Sequence, residues 1–178
     1  MTVRWKRIRT LAQRLLREEN IIKPVVPIER IVLAKGLAIR HNTDQNSNIS
    51  GFLLLGMEQP IIGVNKYHSE TRQRFTIAHE LGHFLLHRSD TENIHVDYGF
   101  QVKLRDDLSS QGTDLEERES NYFAAEILMP ADFLERDLRN KKNIYFEDDT
   151  FITDLAEQYK VSQQAMVFRL ANLRYITL

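Results

Sequence analysis

Apolar residues recur at helical spacing near the start of the chain, where Trp5, Ile8, Leu11, Ala12, Leu15 and Leu16 line one face of a helix ending near Asn20. Pro27 and Gly36 bracket a shorter helix with Ile28, Ile31 and Val32 turned inward, since proline suits the first helical turn and glycine the exit. The period then changes. Leu37 to His41 reads as a strand, and the polar run 42–48 reads as a turn. Gly51-Phe-Leu-Leu-Leu55 and Pro60-Ile-Ile-Gly-Val64 read as an antiparallel pair joined through Gly56. Helical spacing resumes after Ser69, a candidate N-cap, and continues to His87. Gly82 inside that helix costs about 1 kcal/mol relative to alanine, which implies that another element approaches its backbone closely.

Beyond this helix, Tyr98, Phe100, Val102 and Leu104 alternate as a half-buried strand. Thr113-Asp-Leu-Glu116 matches a capping box opening a second long, acidic helix, and Met129-Pro130 stops it. Residues 154–170 read as two helices about a turn at Lys160-Val161-Ser162, with Ala156, Val161 and Met166 at the apolar positions of a helix-turn-helix. Lys160 stands where that turn often carries glycine. The whole predicts an α+β fold: a small antiparallel sheet and two long helices in a domain over residues 1–140, and a helix-turn-helix-like segment over 141–178 packed on it.

At 178 residues the chain can bury one real core with a small appendage. A net charge of −1 gives no argument for nucleic acid or an acidic partner. There are no cysteines, so disulfides and thiolate metal sites are excluded, and any metal must be held by histidine and carboxylate. The basic N-terminus runs into leucines mixed with charges, not into an unbroken apolar core. No signal peptide or membrane span is expected, and a reducing cytoplasm suits the composition.

The most informative segment is His79-Glu80-Leu81-Gly82-His83. Positions i and i+4 lie about 6 Å apart on one helix face, so both imidazoles can meet one tetrahedral zinc ion. Glu80 lies about 100° round the helix from His79, poorly placed as a ligand but suited to act as general base on an attacking water. His87 is about 12 Å along the axis from His79, too far to share that ion, and reads as structural or capping.

A catalytic zinc needs a third protein ligand and one open position. The pattern HExxHxxGxxH is excluded, because Leu86 and Ser89 stand where glycine and the third histidine would be. In the acidic helix Glu117, Asn121, Ala124 and Leu128 share one stripe, which makes Glu117 the strongest candidate. Asn121, one turn on, can hydrogen-bond a ligating imidazole. Glu119, Glu116, His95 and Asp97 remain alternatives, and the bland reading of Glu116 and Glu119 is solvated charge. His95 and Tyr98 are also candidate donors to a developing oxyanion.

Arg72-Gln-Arg-Phe-Thr-Ile-Ala-His-Glu-Leu-Gly-His-Phe-Leu-Leu-His87, followed by Glu117-Arg-Glu-Ser-Asn-Tyr-Phe-Ala-Ala-Glu-Ile-Leu-Met-Pro130, resembles the ImmA/IrrE metallopeptidase family. Ser50-Gly51-Phe52 and Ile62-Gly-Val-Asn65 match its layout, so the resemblance covers roughly residues 20–175. Ser120 departs from the alanine usual before the asparagine, a small-for-small change. The resemblance implies a zincin fold with one Zn²⁺ per chain, held by His79, His83 and Glu117, and Glu80 as base. Its members are bacterial or phage proteins that cut a partner repressor carrying a helix-turn-helix domain, releasing stress-response or mobile-element genes. The implied activity is that of a zinc endopeptidase with a repressor as protein substrate. The rival reading is a non-proteolytic antitoxin or anti-repressor on the same fold, acting by contact. Direct DNA binding through residues 150–178 is the lesser expectation, because Gln163, Gln164, Arg169 and Arg174 form no concentrated basic patch.

Overall fold

The computed structural model describes residues 2–42, 48–56, 58–87, 94–97, 113–139 and 149–177. In chain order its elements are α1 (Trp5–Glu18), α2 (Ile28–Ala34), β1 (Ala38–Asn42), β2 (Gly51–Leu54), β3 (Ile61–Asn65) and α3 (Glu70–His87). They continue with β4 (Ile94–Asp97), α4 (Thr113–Leu128), α5 (Ala131–Leu138), α6 (Asp149–Tyr159) and α7 (Gln163–Asn172). The class is α+β. The expected strand through Tyr98, Phe100, Val102 and Leu104 and the expected domain boundary at 140/141 lie outside the described residues.

The sheet has the order β1-β3-β2-β4. β2 is antiparallel to both β3 and β4, as expected for the β2–β3 pair, but β1 runs parallel to β3, so the sheet is mixed where the sequence suggested a wholly antiparallel one. The hairpin places β2 on one side of β3, and β1 takes the other. Phe52 and Gly63 are register partners. The Phe52 ring covers the glycine so closely that a Cβ there would lie 2.1 Å from it.

α3 is capped as its sequence predicts: the Arg72 N–H donates to Ser69 Oγ at 3.3 Å. It is buried on almost every side from Thr76 to His87, because the sheet packs on one flank and α4 on the other. Gly82 marks the crossing with α4, where an added Cβ would lie 3.1 Å from both Phe123 Cδ1 and Ser120 Cα. Gly51 does the same on the sheet side, since a Cβ there would meet Thr76 Cγ2 at 2.3 Å. Two glycines thus let three layers close around the HELGH helix.

α4 is clasped from outside by α1. Trp5 stacks edge-on against Tyr122 with ring centroids 4.5 Å apart. α5 follows directly after Pro130, an element that the Met129-Pro130 stop signal concealed, and it buries Leu134 and Leu138. The C-terminal pair forms the expected turn: Lys160 adopts φ 51, the conformation glycine often supplies there, and Ser162 caps α7 through the Ala165 N–H. Ala156, Val161 and Met166 are buried.

Polar anchors tie this pair to the rest. Arg74 on α3 donates to the Lys160 carbonyl at 3.2 Å, and Tyr159 donates to Asp137 of α5 at 2.7 Å. Arg169 donates to the Met129 carbonyl at 2.9 Å and to Glu126 at 2.7 Å. Arg169 is only 1% exposed, so it is not the surface cation that the sequence reading counted among candidate DNA contacts. No helix among the described residues is long and apolar enough to cross a membrane.

Candidate metal centre

Helical spacing delivers His79 and His83 to the same face of α3, and their Nε2 atoms face one another at 3.1 Å. α4 crosses that face with Glu117, whose carboxylate oxygens lie 3.4 Å from His79 Nε2 and 3.2 Å from His83 Nε2. An ion bound tetrahedrally with bonds of about 2.0–2.1 Å holds its ligand atoms about 3.3–3.4 Å apart. The three observed separations are close to that edge length, the carboxylate turning Oε2 towards His79 and Oε1 towards His83. Two imidazoles and a carboxylate are also the donor set that suits zinc, so the residues fit the ion.

Asn121, one turn beyond Glu117, accepts from His79 Nδ1 at 2.8 Å. An amide oxygen can only accept, so the His79 proton sits on Nδ1 and the Nε2 lone pair points into the cluster. Burial pushes His83 down to about 4, outweighing its bond to Glu117, and leaves it neutral at pH 7. Burial would raise Glu117, but the two imidazoles beside it, His79 and His83, prevail and hold its carboxyl well below the usual range.

Glu80 is fully buried on the sheet-facing side of α3. Its Oε1 lies 3.2 Å from where a Gly51 Cβ would stand, so the start of β2 packs closely on this carboxylate. The four-membered set of candidate donors is completed by His95 on β4, all four ligand atoms lying within 4.8 Å of one another among the described residues.

The other expected candidates fall elsewhere. Asp97 is placed on β4 opposite Gly51, and Glu116 is partly exposed on α4 outside the cluster. Tyr98 lies outside the described residues. His87 has a structural partner, its Nε2 being 3.5 Å from Glu119 Oε2.

Glu119 corrects the reading of solvated charge. It is wholly buried, and Arg4 embraces it through the main-chain N–H at 2.8 Å and through Nε at 2.9 and 3.0 Å, with Nη2 adding a further contact. Glu126, which the sequence reading did not single out, is likewise buried between Arg169 and Arg9 and also accepts from the Ala131 N–H that opens α5. A signal existed: Glu119, Tyr122 and Glu126 are spaced by three and four residues, a second stripe a little over half a turn from that of Glu117. That stripe faces α1.

Residues 33–171 match the IrrE N-terminal-like domain of peptidase family M78. The match spans most of the chain, and the protein belongs to this metallopeptidase family. The fold is similar to that of a Mycobacterium tuberculosis transcriptional regulator, with a TM-score of 0.64 and 16% identity over 93% of this chain and 46% of that one. At that identity the likeness is one of fold alone, and the chain spans a little under half of the regulator. No curated protein matches the chain.

Proposed function

We propose that this protein is a zinc-dependent endopeptidase whose substrate is a transcriptional repressor carrying a helix-turn-helix domain. The observation that carries the reading is the convergence of His79, His83 and Glu117 at separations of 3.1, 3.4 and 3.2 Å, with Glu80, next to His79 in the chain, fully buried. These three residues hold one ion per chain. When bound, the zinc ion polarises the scissile carbonyl and lowers the pKa of the attacking water towards neutrality. Glu80 takes the proton from that water and returns it to the departing amine. Asn121 keeps His79 in the tautomer that leaves Nε2 available. Among the described residues β4 stands at the edge of the sheet, where an extended segment of the substrate can add as a further strand.

Cutting the repressor, in the cytoplasm where both are made, would release the genes it silences, of stress-response or mobile-element type. Membership of a metallopeptidase family supports the reaction class. The buried anchors of α6 and α7 support a packing or partner-docking role for the C-terminal pair over direct DNA reading. The test is to incubate the purified protein with candidate helix-turn-helix regulators from the same genome, with zinc and after chelation. Fragments that form only with metal support the proposal. A stable stoichiometric complex with an intact regulator overturns it in favour of an antitoxin or anti-repressor.

A further inference from the structure

We propose that His95 is a fourth protein ligand of the same ion, so that the resting centre is closed by His79, His83, His95 and Glu117. The inference rests on the metal centre proposed above and deepens it. His95 comes from β4, where it is the register partner of Leu53, and so reaches the cluster from the sheet while the other donors come from helices. Its Nε2 is buried although the side chain as a whole is 21% exposed, so the ring turns its metal-binding atom inward. That atom lies 3.5 Å from Glu117 Oε1, close to one more edge of a tetrahedron of about 3.3–3.4 Å. The ring lies against that of His83, centroids 3.9 Å apart and planes tilted by 33°, and its ligand atom is one of four that lie within 4.8 Å of one another.

Four protein ligands make a closed site, whereas a hydrolytic one keeps a corner for water and substrate. His95 therefore has to leave before Glu80 can be used. It is suited to do so, because β4 is a short strand at the edge of the sheet among the described residues, held there by β2. The ligands on α3 and α4 are locked by the crossing at Gly82 and have no comparable freedom. The consequence is a peptidase inhibited by its own strand and opened by whatever draws His95 off the metal.

X-ray absorption at the zinc edge of the full, zinc-loaded chain counts imidazole ligands directly. Three imidazoles in the parent and two in His95→Ala or His95→Gln are expected, with zinc affinity lowered at least about tenfold in both variants. Two imidazoles in the parent overturn the role of His95 while leaving the centre itself standing. Failure of the parent to bind zinc at one ion per chain overturns both. Since the parent alone decides, misfolding of a variant does not obscure the result.

Discussion

His79 donates its Nδ1 proton to Asn121 across 2.8 Å, and this bond ties the two central helices together where His79 turns Nε2 towards His83 and Glu117. An imidazole that loses such a partner can rotate or change tautomer, and partners of this kind are worth roughly 10–100-fold in metal affinity. Asn121→Ala is expected to lower zinc affinity within that range while leaving the circular dichroism spectrum intact. Competition with a chelating dye checks this, and unchanged affinity contradicts it.

Glu117 and Glu119 are two residues apart and have opposite duties. Glu117→Ala is expected to lower zinc affinity sharply. Glu119→Ala is expected to keep the zinc and lose roughly 2–3 kcal/mol, less than a fully buried pair would lose because Arg4 is 40% exposed. Metal analysis and urea denaturation of both variants separate the roles. The reverse pattern contradicts the assignment.

Arg169 and Glu126 form an ion pair buried to within 1–2% exposure. Removing one partner of such a pair strands the other, at a cost of about 3–5 kcal/mol. Arg169→Ala should therefore lower the denaturation midpoint strongly, while Arg174→Ala, on the surface, changes it little. The same Arg169→Ala should leave the salt dependence of any binding to random duplex DNA unaltered, since its charge does not reach solvent.

The metal-free protein should lose stability as pH falls from about 6.5 to about 4. The folded state holds His83 near 4, against an ordinary 6.5, so in that window the unfolded chain binds the proton that the folded one refuses. Glu117 acts in the same direction below its ordinary 4.5, where the unfolded carboxyl takes up a proton first. Thermal melting of chelated protein from pH 7 to pH 4 checks this, and His83→Gln should remove the part of the slope above pH 4.5. A flat profile for the parent contradicts it.

Much of the centre was legible because helical periodicity fixes which residues share a face. His79 with His83, Glu117 with Asn121, and the close approach at Gly82 all follow from spacing on single helices. Spacing says nothing of what packs on the face, however, so Glu119 and Glu126 read as ordinary acidic residues until α1 and α7 brought Arg4 and Arg169 to them. His95 stands among the alternatives in the sequence but is not singled out by it. Its position depends on the pairing of β4 with β2, a register between distant segments that no local pattern records. The parallel placement of β1 against β3 was concealed in the same way.

The central claim is hydrolysis at this centre, and Glu80→Gln tests it most directly, because the amide keeps the shape of the side chain but cannot accept the proton. Zinc content and cleavage of the partner regulator should be measured on the same preparations of parent and variant. The account predicts one zinc ion per chain in both and at least about a hundredfold slower cleavage by Glu80→Gln. Equal cleavage by the two proteins at equal zinc content would contradict it.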